Sequence, residues 1–174
     1  LEHSPVPITV HSEGKVVLIN SRAISVLRGE SPEQFIGQPI IKFIHPDSRA
    51  QAMERVEKLY AGAETAPFME QKFICLDGTE IVTEVTATTV ELEGKRSSQV
   101  VFNDITERKE AERVLKESEK GYRTLIESSP VPIMVHINEE IVLINSRAVE
   151  VFRGNSAKDF IGMSVWKLIP PESI

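Results

Sequence analysis

The chain has 174 residues, among them 20 Lys or Arg and 26 Asp or Glu, which gives a formal net charge of -6 at pH 7. This acidic balance excludes a broad nucleic-acid-binding or anionic-membrane surface. A single cysteine, Cys75, excludes an internal disulfide and a multi-cysteine metal cluster. No apolar run approaches the roughly 18 residues of a membrane span. We therefore expect a cytoplasmic fragment without direct membrane contact, whether or not its parent is membrane-anchored.

The first forty residues predict a hairpin followed by short helices. Residues 8–11 and 15–19 are rich in β-branched side chains and flank a turn that contains Gly14. Asn20 or Ser21 can cap a helix that runs to about residue 27, where Gly29 ends it. A second short helix follows Ser31, with proline at its first position.

A longer helix and three strands complete the first unit. Residues 49–60 carry apolar side chains at helical spacing, and Asp47 or Ser48 is expected to cap this helix. Three β-rich segments follow, joined by Asp-Gly and Glu-Gly turns, at residues 68–76, 80–92 and 97–103. Two strands, several helices and three strands predict an α+β fold, a five-stranded antiparallel sheet with helices on one face.

A charged linker helix is predicted at residues 106–121. Ten of the fourteen residues from 107 to 120 are charged, and Thr106 can cap the helix. A thin seam at steps of four and three has the spacing for a partner helix, through Ala111, Leu115, Ser118, Tyr122 and Leu125. The seam predicts a homodimer formed through this helix, although Gly121 interrupts the pattern.

Residues 126–174 repeat residues 1–49 without a gap, with 26 identities in 49 positions. We therefore expect a complete domain at 1–105 and the N-terminal half of a second copy at 122–174, as an excerpt from a tandem array. The strands of the second copy, near residues 133–136 and 141–144, would lack three sheet neighbours. Their exposed edges are expected to pair with another chain or to be poorly ordered.

Several short motifs stand in a characteristic order along the chain: Phe35-Ile36-Gly37, Ile44-His45-Pro46-Asp47, Leu76-Asp77-Gly78-Thr79 and Asp104-Ile105-Thr106. In this order the sequence resembles a PAS domain of the S-box type with its PAC portion, over residues 1 to about 112 and again over 122–174. The resemblance implies a signal-transduction sensor that stands upstream of an output domain such as a histidine kinase. It also implies that Asp104, Ile105 and Thr106 form the exit through which a signal reaches the linker helix.

If the domain encloses a pocket, we expect one set of residues to line it. The same residues would equally form a filled core. These residues are Leu18, Ala23, Leu27, Phe35, Ile40, Phe43, Ile44, Val56, Phe73, Val82 and Val100. Arg28, which recurs as Arg153 before a glycine, either complements a helix dipole or recognises an anion near the pocket mouth. With few aromatic residues, the pocket favours a small apolar or weakly polar ligand, or none.

The sequence disfavours the cofactors that the resemblance brings to mind. A flavin adduct needs a cysteine in the helical region, and residues 35–43 contain none. Haem binding needs a histidine on the long helix, and residues 49–60 contain none. The counterpart of His45 in the second copy is Pro170, whereas His11 recurs as His136 and is expected to be an ordinary strand-end histidine.

No spacing of nucleophile, base, phosphate-binding loop or metal ligands appears, so neither catalysis nor a metal site is expected within the fragment. Any kinase or cyclase domain of the parent would lie outside it. Three functions remain open: a sensory and dimerisation module, a purely structural dimerisation connector with a filled core, and a light- or redox-sensing cofactor protein, which has the least support.

Overall fold

The computed structural model describes residues 2 and 4–168, and the chain divides into two compact units, Leu1–Ala111 and Glu112–Ile174. The first unit contains a five-stranded sheet in the order β2-β1-β5-β4-β3, in which every neighbouring pair is antiparallel. Its strands are β1 (Ile8–Ser12), β2 (Lys15–Ile19), β3 (Thr65–Ile74), β4 (Glu80–Leu92) and β5 (Lys95–Asp104). The predicted α+β fold with a five-stranded antiparallel sheet is confirmed.

Two α-helices and two single-turn 3₁₀ helices lie between β2 and β3. They are α1 (Ser21–Val26), the 3₁₀ helices Pro32–Gln34 and Ile40–Phe43, and α2 (Pro46–Tyr60). Their apolar side chains and those of the inner sheet face share one core, which includes Phe35, Phe43, Phe73 and Phe102. The rings of Phe35 and Phe43 lie 5.3 Å apart, and those of Phe73 and Phe102 lie 5.4 Å apart.

The start of α2 differs from the prediction. The helix begins at Pro46, and neither Asp47 nor Ser48 is its cap. Instead the Nδ1 atom of His45 accepts a hydrogen bond of 3.2 Å from the Asp47 amide. Proline fits the first helical position because its missing N–H has no partner there in any case.

Neither edge strand of the five-stranded sheet is regular and fully open. In β3 the pairing with β4 shifts between Ala66 and Met69, where Pro67 has no N–H to donate. This irregularity explains why the strand begins at Thr65 rather than at the predicted residue 68. At the other edge, the backbone of Val16 in β2 exchanges hydrogen bonds with Gly37 and Gln38, at 2.8 and 3.0 Å.

A buried asparagine ties the beginning of the first unit together. Asn20 caps α1 and has no exposed surface. Its Oδ1 accepts hydrogen bonds from the amides of Ile8 and Ala23, at 3.0 and 2.9 Å, and its Nδ2 donates to the Val6 carbonyl at 2.9 Å. One side chain therefore holds the entering segment, β1 and α1 in register.

A long helix, α3 (Thr106–Ser128), begins straight after β5 and runs through Gly121 without a break. The second unit continues with β6 (Met134–Ile137), β7 (Glu140–Ile144), α4 (Ser146–Val151) and the 3₁₀ helices Ala157–Asp159 and Val165–Leu168. β6 and β7 form a two-stranded antiparallel sheet. Pro170, the predicted counterpart of His45, lies outside the described residues.

The second unit repeats the asparagine bonds of the first. Asn145 accepts from the amides of Ile133 and Ala148, both at 2.9 Å, and donates to the carbonyl of Val131 at 2.9 Å. Its Nδ2 also reaches the carbonyl of Ile126, in the last turn of α3, at 3.0 Å. The end of α3 is thus held by the residue that caps α4.

Among residues 2 and 4–168, none of the helices combines the length and the apolar character that crossing a membrane would require.

Candidate functional site

The first unit encloses a cavity of about 70 Å³ between its helices and the inner face of its sheet. Eight of the residues predicted to form a pocket line it: Leu27, Phe35, Ile40, Phe43, Ile44, Val56, Phe73 and Val100. The volume is far below the roughly 300–1,000 Å³ of pockets that hold drug-sized ligands. Only a molecule of a few non-hydrogen atoms fits it.

Four other residues of the predicted set do not line the cavity. Leu18 of β2 is only half-buried and does not line the cavity, although Val16 and Ile19 of the same strand do. Val82 stands next to buried Ile81 and Thr83 and faces away. Ala23 is fully buried but outside the lining, and exposed Arg28 forms an ion pair of 3.4 Å with Asp77.

One end of the cavity carries polar side chains that the sequence analysis did not assign to a site. His11 of β1 and Ser98 of β5 are register partners, and Thr9 and Ser98 are both buried. The Thr9 hydroxyl lies 2.9 Å from Nε2 of His11. The Ser98 hydroxyl has no hydrogen-bond partner within the described part of the chain. The signal that would have found them is alternation, because Thr9 and His11 flank Val10, which does not line the cavity.

Burial lowers the pKa of His11 from its ordinary value of 6.5 to about 4, because the charged imidazolium would lose its hydration. The ring is therefore neutral at pH 7. As a neutral imidazole it presents one nitrogen that donates and one that accepts. This end of the cavity consequently offers hydrogen bonds without charge.

A cation also lines the cavity. Arg55 of α2 is half-buried and donates hydrogen bonds to the carbonyls of Pro67, at 2.9 Å, and Val85, at 3.4 Å. Burial lowers its pKa from the usual value. Arg55 also borders a surface groove between α2 and β3, so its side chain separates the cavity from that groove.

Gly29 lets an aromatic ring approach the backbone closely beside the cavity. A Cβ atom added to Gly29 would lie within 2.6 Å of Cζ of Phe35, a residue with no exposed surface. Gly154 has the same relation to Phe160 in the second unit. The Arg-Gly pair that recurs in the sequence thus makes room for a packed phenylalanine.

Within the described residues, neither Cys75 nor a cluster of metal ligands belongs to the cavity lining. Cys75 is buried outside the lining, with its thiol 3.6 Å from the carbonyl of Val26, and burial raises the pKa of that thiol. Within residues 2 and 4–168, no group of three or more His, Cys, Asp or Glu side chains is arranged to hold a metal ion. Of the histidines that the structure describes, His11 alone lines the cavity.

The predicted exit residues join the sheet to α3 through hydrogen bonds. The carboxylate of Asp104 accepts from the amide and the hydroxyl of Thr106, at 2.9 and 2.6 Å. The Thr106 oxygen in turn accepts from the Val82 amide at 2.9 Å, and the Ile105 amide donates to the Val82 carbonyl at 2.8 Å. Thr106, the first residue of α3, therefore bonds to β4.

Two ion pairs add to this junction. Glu70 of β3 and Glu84 of β4 stand directly opposite each other, and like charges so placed repel. Lys109 pairs with Glu70 at 2.5 Å, and Arg108 pairs with Glu84 at 3.9 Å. The first turn of α3 therefore supplies the positive charge that these two carboxylates need.

Comparison with known proteins identifies matching families and relatives. A family model described as PAS fold matches residues 1–105, and another described as PAS domain matches residues 122–172. The chain is 28% identical over 171 residues to sporulation kinase A of Bacillus subtilis, a match that covers 98% of this chain. The chain spans about 28% of the length of that kinase.

Solved PAS domains share the fold of the first unit. One from Colwellia psychrerythraea has a TM-score of 0.54 at 19% identity, covering 61% of this chain and 91% of that one. The PAS-B domain of Drosophila melanogaster Cycle has a TM-score of 0.51 at 20% identity, covering 56% and 98% respectively. At these identities the likeness shows the fold alone.

Proposed function

The chain belongs to the PAS family, and from this premise we propose that residues 1–105 are the sensory module of a multidomain signalling protein such as a sensor histidine kinase. The predicted family resemblance is thereby confirmed. In the proposal a small molecule occupies the cavity, and residues 106–121 carry the resulting change toward residues 122–174, the first part of a second PAS domain. Catalysis is assigned to another part of the parent protein.

The observation that carries this proposal is the bonding of the start of α3 to a strand that lines the cavity. Val85 of β4 contacts the cavity, and three residues earlier the backbone of Val82 bonds to Ile105 and Thr106. A ligand that shifts β4 would therefore displace the first turn of α3. This gives the ligand a differential interaction with two positions of the helix, which any ligand-driven change requires.

The ion pairs at the junction favour the position of the first turn of α3 that the structure shows. With the first turn of α3 in place, Lys109 and Arg108 neutralise Glu70 and Glu84. With the turn displaced, the two carboxylates would face each other without their partners. The ion pairs thus hold the first turn of α3 in this position, and displacing the turn would break them.

Dimerisation through α3 is the second part of the proposal. Leu115, Tyr122 and Leu125 are 62%, 66% and 69% exposed, and they follow the predicted seam. A second copy of α3 packed along this seam would bury them. In such a homodimer, a change at residue 106 would alter the crossing or register of two paired helices.

The direct test is native mass spectrometry of the gently purified chain, followed by hydrogen exchange with and without the molecule found. We expect a bound small molecule, and slower exchange of the Val82, Ile105 and Thr106 amides when it is present. A bound molecule that leaves those amides unchanged would contradict the transmission route. Absence of any bound molecule, together with failure to bind small probes, would contradict the sensory function.

The structural connector remains the second candidate, because the cavity is small and the exposed seam of α3 would suffice for pairing. It predicts a dimer whose cavity excludes every probe. The two functions therefore differ in what the cavity binds, and dimer formation alone does not separate them.

A further inference from the structure

We propose that the cavity takes a small, uncharged, amphipathic molecule of about four non-hydrogen atoms, whose hydroxyl or carbonyl group bonds to Ser98 and His11. This inference rests on the proposed sensory function and specifies its ligand class. The size follows from the volume of about 70 Å³, which lies between the roughly 10–15 Å³ that a cavity needs to hold one water molecule and the roughly 150 Å³ of a cavity that admits benzene.

The polar anchor is the pair formed by Ser98 and His11. As register partners on β5 and β1, both with side chains in the lining, they stand about 5 Å apart at Cβ. Ser98 is 4% exposed, and its hydroxyl has no partner among the described residues. A buried hydroxyl without a hydrogen-bond partner costs free energy, so a ligand that supplies the missing partner binds more tightly. Since Thr9 already holds Nε2 of His11, Nδ1 is the ring nitrogen left for the ligand.

The absence of charge at this end selects an uncharged ligand. No Asp or Glu lines the cavity within the described residues, so an ammonium group would find no counter-ion. Arg55 is the one cation in the lining, and it bonds to Val85, the register partner of Phe102. Phe102 lies four residues from Ser98 along β5, about 13 Å away. Arg55 already donates to the carbonyls of Pro67 and Val85, so a carboxylate anchored at Ser98 would have to compete with these bonds.

The surroundings of the anchor are apolar, which is why the ligand is amphipathic. Val16 is the register partner of His11, and Val100 stands two residues beyond Ser98 on the same strand face. Both line the cavity. A short hydrocarbon tail would pack against these side chains while the polar group bonds to Ser98.

The test is an NMR titration of the ¹⁵N-labelled full chain with four probes: 1-propanol, propionate, propylammonium and xenon. We expect 1-propanol to shift the amides of residues 9–11 and 98–100 in a saturable way, with at least fivefold higher affinity than either ion. Ser98→Ala should weaken 1-propanol at least fivefold and leave xenon binding unchanged. Ser97→Ala is the matched control, because buried Ser97 bonds to Lys95 and is not in the lining.

Each outcome decides between the hypotheses. If an ion binds as well as 1-propanol, or if Ser98→Ala binds 1-propanol like the unmodified chain, the ligand class is wrong while the sensory function stands. If none of the probes binds, xenon included, the core is filled, and the ligand class and the sensory function both fail.

Discussion

Replacing Asn20 with alanine should destabilise the first unit by about 3–5 kcal/mol. The change removes the bonds to the amides of Ile8 and Ala23 and to the carbonyl of Val6. A buried backbone group left without a partner costs about 1–3 kcal/mol; about 1–2 kcal/mol for each amide and about 1 kcal/mol for the carbonyl of exposed Val6 give this total. The sum is a large part of the roughly 5–15 kcal/mol that stabilises a typical domain.

Urea unfolding followed by NMR signals of each unit would measure this effect. With a urea dependence of about 1.5 kcal/mol per molar, the midpoint of the first unit should fall by roughly 2–3 M. Asn145→Ala is the matched control and should destabilise the second unit alone, since Asn145 makes the same bonds there. A loss below about 1 kcal/mol for Asn20→Ala would show that water or a shifted backbone replaces these bonds and would refute the reasoning.

Three further predictions follow from the packing, the titration and the exposed seam. Gly29→Ala would push the Phe35 ring out of its place and should cost about 1–3 kcal/mol, measured as a lower thermal midpoint. His11 binds a proton more readily in the unfolded chain, so the free energy of unfolding is highest above pH 6.5 and falls as the pH drops toward about 4, by about 3 kcal/mol at most. His11→Gln should remove this pH dependence, which urea midpoints measured at several pH values would show. Leu115→Glu should weaken the proposed homodimer at least tenfold in sedimentation analysis.

Matched variants control these three experiments. Gly154→Ala should affect the second unit alone, and an unchanged midpoint for Gly29→Ala would show that Phe35 repacks freely. His136→Gln, at an exposed site, should leave the pH profile of the first unit unchanged, and a profile that His11→Gln does not alter contradicts its assignment. Glu117→Lys changes charge on the other side of α3 and should spare the dimer; equal dissociation by both helix variants would contradict the seam.

Turn chemistry made several strands predictable from the sequence. β2 and β4 have their predicted bounds, because Gly14, Gly78 and Gly94 adopt positive φ at the turns that border them. The start of β3 was not predictable, since Pro67 normally argues against a strand and is accommodated here by an irregular edge. The start of α2 was missed because an imidazole nitrogen serves as its cap.

The cavity was predictable only where apolar character and orientation agree. Phe35, Phe43 and Phe73 are large and buried, and they line it. Leu18 is equally apolar but is only half-buried and does not line the cavity, and apolarity alone does not reveal which residues of a strand become buried. Ser98 was missed for the converse reason, because a polar strand residue is normally read as facing solvent.

The irregular β3 edge and the covered β2 edge also affect how a chain with two similar domain copies can fold. Tandem copies stay at high local concentration, and nearly identical strands can then join the wrong sheet during folding. Pro67 and the guanidinium of Arg55 occupy one margin, and the segment at Gly37 and Gln38 occupies the other. Within the described residues, part of each outer strand of the first unit is therefore covered, which would limit pairing with a neighbouring copy while the protein is being made.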